Sequence, residues 1–204
     1  MYGLLLAGWL ALPIAPLNPV VQDTLDNMAL HVTAGVNTSN GIVGTGPDLT
    51  VKYEMLAVHP IILRGGLDYR LGRVRSSLYP DGTFHQGLFV LETIYYRGTN
   101  HLTGYLGLGM AWGFGHFVPT AMTEQRLFEE DQTYDIDVGT DLGYRITLGL
   151  RYQRNFSLEI AITELKPSLV YHSRPEPGVD RIRRETFRNN SFRLSVGYAF
   201  TLLK

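Results

Sequence analysis

Between residues 191 and 202 apolar and small or polar side chains alternate without a break. Phe192, Leu194, Val196, Tyr198 and Phe200 share one parity, and Arg193, Ser195, Gly197, Ala199 and Thr201 share the other. Successive side chains of a β-strand point to opposite faces, so this period of two specifies a strand with one apolar and one polar face and is incompatible with an amphipathic helix. The stretch 134–152 repeats the pattern at greater length. Tyr134, Ile136, Val138, Thr140, Leu142, Tyr144, Ile146, Leu148, Leu150 and Tyr152 fall on one face, and Asp135, Asp137, Gly139, Asp141, Gly143, Arg145, Thr147, Gly149 and Arg151 on the other. From Leu142 to Tyr152 the apolar face covers roughly 25 Å, taking ~3.3 Å per residue and a ~40° tilt, which is the height of the apolar band of a membrane-spanning barrel.

The same alternation, with Gly, Pro, Asn and Asp as punctuation, divides the chain into eight strands at about 28–37, 48–58, 61–74, 84–97, 101–115, 134–152, 156–166 and 188–202. Tight turns at His59-Pro60, Gly98-Thr99-Asn100 and Gln153-Arg154-Asn155 alternate with longer polar links at 38–47, 75–83, 116–133 and 167–187. An even number of strands joined by alternately short and long connections is the organisation of a transmembrane barrel. The expected fold is therefore all-β, an eight-stranded antiparallel up-and-down transmembrane β-barrel filling 23–204.

Composition narrows the classes. The 204 residues suit one domain, and a net charge of −1 carries no nucleic-acid footprint. With no Cys there is neither a disulfide nor a thiolate metal site. No run reaches the ~18 apolar residues of a spanning helix, because Pro13, Pro16, Asn18 and Pro19 interrupt the one contender. Residues 1–22 read as a secretory leader around Leu4-Leu5-Leu6-Ala7-Gly8-Trp9-Leu10, yet no Lys or Arg precedes that run and the first basic residue is Lys52. The alternative for this segment is a retained apolar stretch on the membrane surface.

The C-terminal Ser195-Val196-Gly197-Tyr198-Ala199-Phe200-Thr201-Leu202 resembles the polar-x-Gly-x-x-apolar-x-apolar signal that closes bacterial outer-membrane barrels and is recognised by their assembly machinery. Ser195, Gly197, Phe200 and Leu202 occupy its marked positions, and Leu203 and Lys204 follow it where that family often stops on an aromatic residue. The chain thus resembles the small outer-membrane barrels of the OmpA transmembrane domain, OmpX and opacity-protein type. The resemblance implies an integral protein of the bacterial outer membrane, in contact with outer-membrane lipids and lipopolysaccharide, whose outer loops adhere to surfaces, bind proteins or brace the membrane. It implies no cofactor and carries over no catalytic residue.

If the apolar face meets lipid, the opposite face places Lys52, Glu54, Arg64, Asp68, Arg70, Glu92, Asp137, Asp141, Arg145, Arg151, Glu159 and Arg193 inside. Eight strands enclose only enough room for side chains, and a set balanced between acids and bases is expected to form ion pairs that plug the barrel. A narrow pore lined by these charges is one alternative. A soluble lipocalin-like ligand carrier, with the apolar face turned inward, is another.

The link 116–133 holds Glu124, Glu129, Glu130 and Asp131 against Arg126. The link 167–187, with the residue after it, holds Arg174, Arg181, Arg183, Arg184 and Arg188 against Glu176, Asp180 and Glu185. These loops are expected to be solvated, with weak screened contacts and pairing across the rim open to them. The arginines are candidate contacts for lipopolysaccharide phosphates or a protein partner, and Phe117, Phe128 and Phe187 are candidate apolar anchors. A role as subunit of a larger envelope complex is equally compatible. For a lipid A-modifying enzyme the one adjacent nucleophile–base pair is His172-Ser173, whose side chains point to opposite faces of an extended chain and lack the His-x-Ser spacing of outer-membrane deacylases. His31, His59, His85, His101 and His116 show no metal-ligand spacing. The function expected is structural or surface-interacting, without catalysis.

Overall fold

A computed structural model describes residues 28–39, 44–58, 60–74, 80–99, 101–153 and 155–202. Residues 1–22, expected from the sequence to be a leader, and His59, Asn100, Arg154, Leu203 and Lys204 lie outside the described residues. The strands are β1 (Ala29–Ser39), β2 (Gly46–Val58), β3 (Ile61–Val74), β4 (Gly82–Gly98), β5 (Leu102–Pro119), β6 (Thr133–Tyr152), β7 (Phe156–Leu165), β8 (Ser168–Glu176), β9 (Val179–Thr186) and β10 (Asn189–Thr201), with one helix, α1 (Ala121–Asp131), between β5 and β6. Hydrogen-bonded neighbours run β5-β4-β3-β2-β1-β10-β7-β6, and a β5–β6 pairing closes this ring of eight antiparallel strands. The barrel is the one that the alternation anticipates.

One end is tight. Leu202 N donates to Met28 O (2.8 Å), Tyr96 N to Pro60 O (3.1 Å) and Gln153 N to His101 O (3.0 Å), so both ends of the described chain and the short turns share this rim. Gly98 (φ +154°) turns the chain here because a Cβ would stand 2.3 Å from Leu102 O. At the other end β4, β5 and β6 overshoot the bilayer. The 20 residues of β6 span roughly 48 Å along the barrel axis, about twice the apolar band. In barrels of this construction the short turns face the periplasm and the long connections the outside.

Outward positions carry an apolar belt that includes Val51, Leu67, Leu91, Met110, Leu148, Ile160, Leu194 and Val196, all well exposed. Tyr95, Tyr152, Phe156, Tyr198 and Phe200 edge it towards the turn end, and Tyr69, Trp112 and Tyr144 lie nearer the loop end. Such a continuous apolar surface around a closed ring of strands is the lipid-facing surface of a transmembrane barrel. Among the described residues no helix is long and apolar enough to cross a membrane.

Two links hold more structure than the sequence reading assigned. Residues 116–133 contain the last turns of β5 and then α1, where Thr120 Oγ1 accepts from Thr123 N (3.4 Å) as N-cap and Gln132, in the left-handed region at φ 49°, closes the C-terminus. Residues 167–187 contain the β8–β9 hairpin. β7 pairs with the lower half of β6 from Tyr144 to Tyr152, while β8 takes over on the upper half between Thr133 and Gly139. The hairpin therefore continues the wall beyond the ring, and β9 ends the sheet.

Candidate functional site

The barrel interior is layered. Nearest the turn end Ile62, Ile94, Tyr96 and Tyr105 form an apolar floor. Tyr105 fits because its register partner across β6 is Gly149, where a Cβ would stand 2.1 Å from the Tyr105 ring. Arg151 lies over the Tyr96 and Tyr105 rings (5.3 and 5.9 Å) and donates to Glu54 Oε1 (2.7 Å), which also accepts from Tyr96 Oη (3.2 Å). His31 pairs with Ser157 Oγ at 2.6 Å and lies 3.9 Å from Glu54.

Above this floor the charges interlock. Glu159 faces Lys52 Nζ (2.7 Å), Arg64 Nη1 (2.9 Å), Arg145 Nη2 (3.4 Å) and Arg193 Nη1 (3.7 Å), and accepts from Tyr105 Oη (3.0 Å). Glu92 takes Arg64 Nη2 (2.9 Å), Arg145 Nε (3.3 Å), Lys52 (3.5 Å) and the Thr147 hydroxyl. Asp68 is shared by Arg145, Arg193 (3.4 Å) and Arg70 (3.5 Å), and Asp48 holds Arg193 Nε at 2.8 Å. These side chains are sealed from solvent. Because desolvation penalises every isolated charge, each must be tied to several partners, and the network acts as one packed unit.

The loop end is closed by apolar side chains. Leu88, Val90, Ala111 and Leu165 sit beside the upper network, and Val74, Phe84, Phe117, Leu127, Ile136, Leu169, Tyr171 and Phe187 form a cap beneath α1 and the hairpin. Phe117 and Phe187 are thus core residues, which corrects their reading as surface anchors; Phe128, on the exposed side of α1, remains at the surface.

Asp137 and Asp141 require a second correction, since Asp137 faces away from the interior and Asp141, half-buried at the upper end of the lower run, does not join the charge network. Asp137 is 62% exposed and faces His172 Nε2 (3.2 Å), while Asp141 accepts from Leu142 N (2.8 Å) and from Lys166 N. Gly113 pairs with Asp141 but Gly115 pairs with Val138, so β6 carries an extra residue opposite β5. Such a bulge inverts the parity. Arg145 and Thr147 point inward below it, and Ile136 and Val138 point inward above it. Conversely, Asp48 is buried in the network although it was omitted from the interior set; it shares the parity of Lys52 and Glu54 on β2, which is the signal that finds it.

Outside the membrane the hairpin sorts its arginines. Arg174 pairs with Asp180 (2.8 Å) and lies over Tyr134 (5.5 Å), and the Asp180 hydrogen bond raises its affinity for the proton. Arg183 pairs with Glu185 (3.5 Å) over the Tyr171 ring (4.6 Å), and Tyr171 Oη donates to Glu185 (3.2 Å). Burial first, and then Glu185, push the Tyr171 hydroxyl above the usual phenol range. Arg181, Arg184 and Arg188 are exposed. His172 and Ser173 occupy opposite faces of β8: His172 joins Asp137 outside, whereas Ser173 is buried and donates to Arg181 O (3.4 Å). No metal-binding cluster of three or more His, Asp or Glu occurs among the described residues.

No family model and no curated protein matches the chain. Solved structures do. The outer membrane protein OprG from Pseudomonas aeruginosa superposes with a TM-score of 0.56 at 14% identity, covering 86% of this chain and 96% of that one. Neisserial surface protein A gives 0.54 at 14% identity over 86% and 97%. The outer membrane protein AlkL, solved in lipid bilayers, gives 0.53 at 12% identity over 95% and 97%. Ring closure, the lipid-facing belt and these superpositions agree: the chain has the fold of the small eight-stranded integral outer-membrane β-barrels.

Proposed function

We propose that this protein is a sealed barrel of the bacterial outer membrane that acts as a structural and surface-interaction protein through the wall its strands raise outside the bilayer. The observation that carries the reading is the interior. An eight-stranded ring has little lumen, and here the lumen is occupied by solvent-excluded ion pairs between an aromatic floor and an apolar cap. Opening a path would break many charge contacts together, each costly to leave unpaired. In this reading residues 1–22 are a removable leader, Ser195, Gly197, Phe200 and Leu202 serve assembly, and no cofactor or catalysis is required. Lys166 and Arg188, which adjoin the Leu165↔Asn189 pair at the loop end of the ring, fit the phosphates of lipopolysaccharide. The test is purified protein reconstituted in a planar bilayer. No discrete conductance is expected; reproducible single-channel steps abolished by boiling the protein would replace the sealed barrel with a pore.

A further inference from the structure

Strand register brings histidines and aspartates from four strands into one row on the outer face of the wall. His85 on β4 pairs with His116 on β5, His116 with Asp137 on β6, and Asp135, further along β6, with His172 on β8. Their chain neighbours Phe84, Phe117, Ile136 and Tyr171 point inward to the cap, so this row points outward. Thr120 N donates to Asp81 O (2.9 Å), and the pair His85–His116 has the same parity along the ladder, so it is a hydrogen-bonded pair and the peptide groups of His116 point to β4. His116 and Asp137 therefore form a non-bonded pair, the kind whose side chains stand closer. The His85 and His116 ring centroids are 6.5 Å apart with their planes inclined at 45°. From β3, Tyr69 Oη lies 2.7 Å from His85 Nδ1.

We propose that His85 and His116 form a two-histidine chelate for an exchangeable transition-metal dication of the zinc class, with the Asp137 carboxylate beside it. Imidazole nitrogen suits zinc, copper and nickel, whereas calcium and magnesium take oxygen ligands. Two imidazoles on one ion at ~2.0–2.1 Å set their ring centroids roughly 5–6 Å apart. The separation of 6.5 Å therefore closes by a small rotation of the rings, with no movement of the sheet. Two protein donors suffice, and no cluster of three is preformed among the described residues. Tyr69 prepares one donor: with Nδ1–H donating to Tyr69 Oη, His85 Nε2 keeps a lone pair for the metal, the way ligating imidazoles are held in one tautomer. Asp137, which faces His172 Nε2 (3.2 Å), puts negative charge next to His116 and favours a cation there. The remaining coordination positions face water, which makes the ion exchangeable, unlike that of a closed structural site. The site goes beyond the sealed-barrel reading and stands whether or not the barrel conducts. Spacing along the chain hides it, because the two donors come from different strands and meet only through register.

The test is calorimetric titration of ZnCl2 into the full chain, folded in detergent micelles and carrying no affinity tag. Wild type is expected to bind zinc and, at the same concentrations, not MgCl2. His85→Ala, His116→Ala and Tyr69→Phe, the last removing the hydroxyl beyond His85 and keeping its ring, should each weaken zinc binding roughly tenfold or more. His172→Ala frees Asp137 from its ion pair and should leave binding unchanged or tighter, and His101→Ala, at the opposite rim, should leave it unchanged. Retention of the heat-dependent gel shift establishes that each variant is folded. Undiminished zinc binding by folded His85→Ala or His116→Ala would overturn the chelate, and equal binding of MgCl2 would replace it with a carboxylate site. Loss of zinc on His172→Ala with binding kept in His85→Ala would move the ion to Asp137 and His172 and overturn the assignment. No zinc binding by wild type would overturn the proposal outright.

Discussion

Glu159 is the residue on which the interior turns, since Lys52, Arg64, Arg145 and Arg193 all approach it within 3.7 Å. Replacing it by Met leaves those cations short of counter-charge and is expected to cost about 3–5 kcal/mol in guanidinium unfolding of the micelle-embedded barrel. Adding Lys52→Met should recover part of that loss, because removing both members of a buried pair costs less than removing one. A single-variant loss below about 1 kcal/mol would mean that the network is wet and loosely coupled. Most of the interior charges were legible from strand parity alone. Asp48 was missed because it begins a strand, where parity has few neighbours to fix it. Asp137 was misplaced because a bulge changes parity without changing composition, whereas Asp141 keeps the parity of Arg145 and bonds to main-chain N–H groups instead of joining the network.

That bulge belongs to the scale of the element. On β6 one uninterrupted alternation would send Ile136 and Val138 into water and Asp137 into the barrel; the extra residue lets one strand serve a charged interior below and an apolar cap above. Deleting Thr140 should force the halves into one register, abolishing the heat-shifted folded form on gels, because a one-residue slip moves every side chain of one half to the wrong face. The β8–β9 hairpin has a pH dependence of its own. Tyr171 holds its proton more tightly when folded than when unfolded, so the stability it contributes is fully present below the ordinary phenol pKa of about 10 and is lost as pH rises from there through the raised folded value. Amide exchange in β8 and β9 should accelerate above about pH 10 in wild type, and that extra alkaline acceleration should vanish in Tyr171→Phe. Helix α1 was legible in principle, since Thr120 precedes a run of good helix formers with Thr123 and Leu127 one turn apart. The hairpin was harder to see, because all of β9 except Glu185 is exposed and its polar sequence lacks alternation.

For the whole molecule the decisive question is which face of the barrel meets the apolar phase. Leu148 points outward midway along the belt, between Leu142 and Tyr152. Leu148→Arg is expected to destabilise the bilayer-embedded protein by about 2–4 kcal/mol, and the same change at Val118, beyond the belt, by less than about 1 kcal/mol. Equal small effects at both sites would indicate an outer surface in water, as in a soluble carrier. The likeness to OprG, Neisserial surface protein A and AlkL extends to the fold, with at most 14% of residues identical. The fold is thus what these chains share, and the side chains of this one must be read by themselves.

Strand number, the apolar belt and most of the charged interior were determined by the sequence alone, because a period of two is a local property that survives any arrangement of the strands. Which carboxylate serves which cation, where β6 changes face, that Phe117 and Phe187 cap the barrel, and that β9 is left with a free edge were decided only by the tertiary structure. The reason is that each depends on the register between strands distant in the chain, and register is set when the ring closes.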